Sequence, residues 1–282
     1  ANGVTAFTST GFTLGDDNGG YGFNDNTEDY ISWNWRLGTT SGISAGSQTI
    51  TPTGYSINTT SGMGIYEYAG GGGVDTISHG LGVAPVCWFT KSTSAVGGWS
   101  LAHHWLNEGT TPFEYTLHPD TDAADAADTT WGDTAPTSSL FTLGNTSTTN
   151  NSGKDYKITV MTPIKGYSHF GYYDGNANAD GPCIFTGFSP ALVIMKDTDS
   201  TGEWCMYTSI DGTLSTNSYI YTNLSYAEGC CIPVDFLSTG FKIKTSNNDR
   251  NQSGSHFVYM AWARTPFVNS EGVPANAVAS TF

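Results

Sequence analysis

Cationic residues are scarce. Ten Lys and Arg stand against 25 Asp and Glu in 282 residues, a formal charge of -15 with a pI near 4.4. A surface of that sign does not neutralise phosphates, which argues against nucleic acid as a partner. Charges of either sign reach only 12%, about half the usual quarter. No window approaches the roughly 18 consecutive apolar residues of a membrane helix, so no membrane insertion is expected, and the first residues lack the basic-then-apolar pattern of a secretion signal. Heptads and collagen-like repeats, which a complete trimeric fibre needs, are also missing. The five cysteines (Cys87, Cys183, Cys205, Cys230, Cys231) have no CxxC spacing and no flanking histidines. They read mostly as buried thiols rather than a disulfide framework or a zinc site, with the vicinal Cys230-Cys231 pair a candidate for redox chemistry. Ala1 fits either removal of an initiator Met or a piece of a longer chain.

Catalytic patterns are equally sparse. Gly-x-Ser-x-Gly is absent, and the glycines of Gly70–Gly73 lack the Lys-Ser/Thr of a phosphate loop, leaving a turn. Glu67, Glu108, Glu114, Glu203 and Glu228 show no closely spaced carboxylate pair of the kind that flanks a scissile glycosidic bond. His103 and His104 are adjacent, and on a strand they point to opposite faces, which disfavours one metal sphere. No catalytic residue, metal or cofactor is assigned, and no enzymatic activity is expected. The acidic turns "HPDTDAADAAD" and "GDDNGG" hold the oxygens a Ca²⁺ ion takes, but neither has the spacing of an EF-hand loop, and solvated loops are favoured.

What is abundant is Gly, at 35 residues, and aromatics, at 13%, set in alternating stretches. In "YISWNWRL", Ile31, Trp33, Trp35 and Leu37 share one face, and "DYKIT" and "HFVYMAW" follow the same period, predicting half-buried antiparallel strands. "ALVIM" (Ala191 to Met195) is apolar throughout and predicts a central strand covered on both faces. Pro85 and Pro190 stand where a strand begins and a missing N–H costs least. Asn- and Gly-rich segments supply turns. A short helix is expected only in "HPDTDAADAADTTW" (His118 to Trp131), with Asp120 or Asp122 as its cap.

The chain also repeats itself. At an offset of 105 residues, Tyr68 falls on Tyr173, Gly70 on Gly175, Asp75 on Asp180, Gly82 on Gly187, Pro85 on Pro190, Lys91 on Lys196, Thr93 on Thr198, Gly97 on Gly202 and Trp99 on Trp204, without a gap. A second block, Leu140 to Pro163, matches Gly240 to Phe267 through an Asn-rich turn with Ser-Gly, and Gly11 to Leu37 resembles it again. The organisation expected is a partial repeat and linker (1–53) packing on a sandwich, two full units (54–164 and 165–268) and a C-terminal tail (269–282). The fold class is all-β, with tandem antiparallel β-sandwiches. Lys91, Lys196, Trp99 and Trp204 recur either as paired sugar platforms or, the favoured reading, as shared core and strand ends.

The residues "YAGGGGVDTISHGLGVAPVCWFTKST", "GYYDGNANADGPCIFTGFSPALVIMKDTDSTGEW" and "VDFLSTGFKIKTSNN…SGSHFVYMAWARTPF" resemble a repeat module of tailed-bacteriophage virion proteins, over about residues 10 to 268. The resemblance implies a lectin-like, concanavalin-type jelly roll on a virion surface, assembled in the host cytoplasm. It implies other virion proteins as partners, a homo-oligomer within the particle and contact with host glycans. A capsid-surface or fibre-tip structural component is the leading expectation, ahead of a receptor-binding tail-fibre lectin and, third, a glycan depolymerase. The second unit carries Ile-Phe-Thr-Gly where the first has His-Gly-Leu-Gly, so His79 is no repeated requirement. The first unit is longer between Trp99 and Phe141, and loops carry specificity. Any glycan contact is therefore expected at Trp105, Tyr115, Asp122 and Trp131, whose rings stack on sugars while the carboxylate takes hydroxyls, although rings that merely anchor the loop are favoured.

Overall fold

The structure is a computed structural model and describes residues 3–8, 10–15, 24, 30, 32–38, 43, 47–209, 215–265, 267–268 and 274–275. Residues Ala1–Arg36 form one compact unit and Leu37–Phe282 another. In the first, β1 (Val4–Phe7) pairs antiparallel with β2 (Phe12–Leu14). The "YISWNWRL" stretch keeps its alternation: Trp33, Trp35 and Leu37 are half-buried while Ser32, Asn34 and Arg36 are exposed. Its described residues nevertheless lie outside every strand, a correction to the sequence reading. Periodicity sets which way side chains point; a ladder also requires a neighbour in register.

The second compact unit contains both full repeats. The first repeat comprises β3 (Gly54–Asn58), β4 (Met63–Ala69), β5 (Asp75–Ser78), β6 (Cys87–Ser92), β7 (Ser100–His103), β8 (Tyr115–Thr116), β9 (Ala126–Ala127), β10 (Leu140–Leu143) and β11 (Asp155–Met161). An antiparallel sheet runs β3-β4-β11-β6-β7, and the β5-β10 pair covers one face. The period-2 pattern places Tyr66, Tyr68, Trp88, Tyr156 and Ile158 on that face, where they meet Ile77, Phe141 and Leu143. Part of the expected linker is not free: the N–H groups of Thr49 and Ile50 donate to Thr76 O at 3.1 and 3.0 Å, and Ile50 enters the core.

The second repeat comprises β12 (Ser168–Asp174), β13 (Cys183–Phe185), β14 (Pro190–Asp197), β15 (Cys205–Thr208), β16 (Ser215–Tyr221), β17 (Gly229–Leu237), β18 (Gly240–Ile243), the single-turn helix α1 (Asn248–Asn251) and β19 (His256–Ala263). Its sheet runs β12-β19-β14-β15-β16-β17-β18-β13. Phe236, Phe241, Ile243 and Ile184 from the β17-β18-β13 end pack on Tyr173, Val193, Met195, Tyr207 and Phe257 from the other, so the sheet returns over its own face. A last pair, β20 (Phe267–Val268) and β21 (Pro274–Ala275), follows. Among the described residues the architecture is antiparallel β with one turn of α-helix.

The duplication holds at the level of individual hydrogen bonds. Tyr68 Oη donates to Thr149 O at 2.6 Å, and Tyr173 Oη donates to Arg250 O at 2.7 Å. The buried Asn150 Oδ1 accepts from Gly71 N–H (2.7 Å) while its amide donates to Gly73 O (2.8 Å). Asn251 repeats both bonds with Asn176 N–H and Asn178 O, at 2.8 Å each. Gly153 and Gly254 take positive φ of 72° and 77° at the Ser-Gly of each turn. The repeated Gly70 and Gly175 have a steric reason: a Cβ there would lie 2.3 Å from Asn151 O and 2.0 Å from Gln252 O. Gly70→Ala and Gly175→Ala are each expected to lower stability by about 1–3 kcal/mol through overpacking. Urea midpoints equal to the parent chain would show that the turns yield without cost.

The alignment is not gap-free. Phe141 pairs with Ile77, and its counterpart Phe241 pairs with Ile184, so β5 and β13 correspond two residues out of step with the strands around them. His79 N–H donates to Ser139 O and Thr186 N–H to Thr239 O, which makes Thr186 the counterpart of His79 and Gly80-Leu81 the inserted pair. The expected helix over His118–Trp131 is absent. That segment forms a turn, Thr121 N–H donating to His118 O, and then β9, which pairs with β8. Its remaining backbone groups bond to other elements, among them Asp128 N–H to Glu114 O at 2.9 Å, so tertiary partners replace the i to i−4 bonds of a helix.

Candidate functional site at the seam between the repeats

β14 is central, as its apolar run required, but β19 is buried on both faces instead of one. The second face is covered by the first repeat, where Cys87 and Met260 sulfurs approach to 3.6 Å. Burial pushes the Cys205 thiol up to about 12 and that of Cys87 up as well, leaving both inert; Cys183 is free and exposed. The side chains of Cys230 and Cys231 lie outside the described residues.

Four of the six histidines gather along this seam. His104 Nε2 donates to Phe170 O across it at 2.9 Å. His169 Nδ1 lies 2.9 Å from Tyr259 Oη, and His256 Nδ1 lies 3.1 Å from Asp174 Oδ1. His103 and His104 rings are 5.2 Å apart. Nε2 of both His103 and His256 is buried without a hydrogen-bond partner. Burial and the neighbouring His104 hold His103 well below the usual imidazole range; burial also lowers His104 and His169. His79 sits elsewhere, in the first repeat, with Nε2 3.1 Å from Thr137 O.

The longer loop of the first repeat straps the second. Asp125 N–H donates to Thr198 O and Gly202 N–H to Asp122 O, both at 2.9 Å, and Trp204 Nε1 donates to His118 O at 3.1 Å. Beneath the strap Lys196 is fully buried, its ammonium donating to Asp197 O and, at 3.4 Å, to Ser200 O. Lys91 turns back in the same way onto Gly97 O, so the repeated lysines fasten the turn after each strand. Burial raises the Asp125 carboxyl, whose Oδ2 accepts Asn107 N–H at 2.8 Å. Among the described residues no group of three or more His, Cys, Asp or Glu is placed to hold a metal. Asp16 and Asp17 of the "GDDNGG" turn lie outside them.

The four residues expected to touch glycan do not converge. Trp131 is fully buried and packs edge-on against Trp88, centroids 5.6 Å apart. It has no exposed ring face, so as a sugar platform it is corrected to a core anchor. Tyr115 is half-buried in the β8-β9 pair, and Asp122 is exposed but engaged through its carbonyl with Gly202. Trp105 alone joins an open aromatic surface. Its ring lies 4.3 Å from that of Tyr172, which stacks on His256 at 4.6 Å. Beside it opens a cavity of about 310 Å³ that also takes in His169, Phe185 and Tyr259. Tyr172 and Phe185 are 41% and 71% exposed. Tyr172, His169 and His256 escaped the sequence reading because each stands opposite an unlike residue in the other repeat; positions where the copies differ mark the seam.

Fold and site together define an all-β protein built by internal duplication, its two copies joined through a histidine- and aromatic-rich seam. The chain belongs to the family of the domain of unknown function DUF7483, whose model matches residues 1–266. No curated protein and no solved structure matches it.

Proposed function

We propose that this chain is a non-enzymatic structural protein of a bacteriophage virion surface, at the capsid surface or a fibre tip, with weak adhesion to host glycans. Each repeat is a lectin-like, concanavalin-type jelly-roll sandwich, a reading supported by two antiparallel layers closing on one aromatic core in each copy. Its partners are other virion proteins and further copies of itself. The observation that carries the assembly role is the N-terminal unit. Val4 and Phe7 of its ribbon are 51% and 84% exposed and, with Phe12, Leu14 and Tyr30, line an apolar groove of about 330 Å³. A two-stranded ribbon is marginal alone, so such a face is kept for a neighbour in the particle. The adhesive role rests on the open shelf of Trp105, Tyr172 and Phe185.

Cryo-EM of intact particles is expected to place the chain on the outer surface. Deleting residues 1–36 is expected to abolish incorporation while the remainder stays folded. Particles that lack the chain, or that take up the truncated form as readily as the full one, would overturn the reading.

A further inference from the structure

The repeated tryptophans sit in matching clamps. Trp99 N–H donates to Asp120 Oδ1 and Trp204 N–H to Asn223 Oδ1, both at 3.1 Å. The carbonyl of Trp99 accepts from His118 Nδ1 at 2.8 Å and that of Trp204 from Thr222 N–H at 3.0 Å. Both clamps open on one cleft of about 430 Å³ between the repeats, floored by Phe89, Leu101, Ile194 and Met260. Phe89 and Ile194 are themselves equivalent positions, so the copies line the cleft in pairs. That volume lies within the roughly 300–1,000 Å³ range of small-molecule sites.

We infer that this cleft is a binding site for a neutral pyranose, resting on the adhesive part of the function proposed above but lying apart from the Trp105 shelf. The two indoles are unequal: Trp99 is 37% exposed and Trp204 2%. Trp99 thus offers a ring face to the C–H face of a sugar, tilted at 55° against Phe89. Trp204 is the wall behind it, its Nε1 already committed to His118 O. Asp120 is exposed at the rim and spends Oδ1 on the Trp99 amide, leaving Oδ2 for a sugar hydroxyl. The exposed Thr222 lines the same cleft. Among the described residues no cationic side chain lines the cleft, and the whole chain is strongly acidic, so sialylated, sulfated or phosphorylated sugars are disfavoured.

The test is titration calorimetry and indole fluorescence on the full chain with the methyl glycosides of glucose, mannose and galactose, with N-acetylglucosamine, and with N-acetylneuraminic acid. At least one neutral probe is expected to bind saturably and the sialic acid not at all. Asp120→Asn keeps the oxygen that holds Trp99 and replaces only the free one. It and Trp99→Ala are each expected to weaken binding at least tenfold with the circular dichroism spectrum unchanged, while Val83→Ala, at an exposed position outside both the cleft and the shelf, leaves binding intact. Absence of saturable binding, or binding that survives both cleft variants, overturns the site. Loss in Trp105→Ala alone overturns it too but leaves the adhesive function standing, and failure to find the chain on particles would remove that function without touching the cleft.

Discussion

Trp204→Ala is expected to cost about 3–5 kcal/mol, the range for deleting a fully buried large aromatic, and Trp99→Ala a small fraction of that. The two occupy equivalent positions, each at the entry to an equivalent strand (β15 and β7) and each clamped through its own backbone. What differs is the side chain. Trp204 is enclosed beneath the first repeat's strap, with its indole N–H bonded to His118 O, and Trp99 faces the cleft. Removing the former leaves a void and takes one donor from His118 O, which keeps Thr121 N–H. Urea unfolding of the two variants measures the difference, with Trp204→Phe as a milder companion. Equal losses at the two positions would mean that the seam does not distinguish the copies.

Acid is expected to loosen the protein well above the pH at which carboxylates titrate. His103, His104 and His169 at the seam, and His79 in the first core, are all held below the ordinary imidazole value, each chiefly by burial. A histidine lowered in the native state is protonated first in the unfolded chain. Its contribution is therefore complete above about pH 6.5 and is lost as pH falls below that value toward the native pKa. The slope is up to about 1.4 kcal/mol per pH unit for each such histidine. The carboxylates of Asp174 and Asp199, which meet the His256 ring and backbone N–H, face the same seam. The half-buried Asp125, raised by desolvation, acts in the opposite sense, but in the carboxylate range. Calorimetric melting temperatures should fall steeply from pH 7 to pH 5, and His104→Gln with His169→Gln should flatten the curve. A melting temperature constant across that interval would contradict the expectation.

The tyrosines and glycines that recur in the sequence do recur in role, because Tyr68 and Tyr173, and Gly70 and Gly175, answer to backbone carbonyls that their own repeat supplies. Alternation in "DYKIT" likewise reads through to one inner face of β11. What sequence could not carry is whatever one copy does to the other. The pattern of "HFVYMAW" predicts one buried face, but its outer face too is covered, by a sheet that starts more than a hundred residues earlier. The Asp-Ala run suggested a helix because its partners Thr198 and Gly202 belong to the second repeat. Trp131 looked like a ligand platform because an aromatic in a long loop has the same signature whether it faces solvent or fills a core.

The paired lining of the cleft has a consequence for how such chains grow. When equivalent surfaces of two copies meet each other, the association closes on itself, as an isologous dimer does, and leaves no like surface free for a third. Here only the Phe89/Ile194 and Trp99/Trp204 pairs meet in that way, while the strap runs in one direction, from the first repeat onto the second. The first repeat therefore keeps an open sheet face, the outer side of β11, where its counterpart β19 is covered, and that face is where a further copy would join.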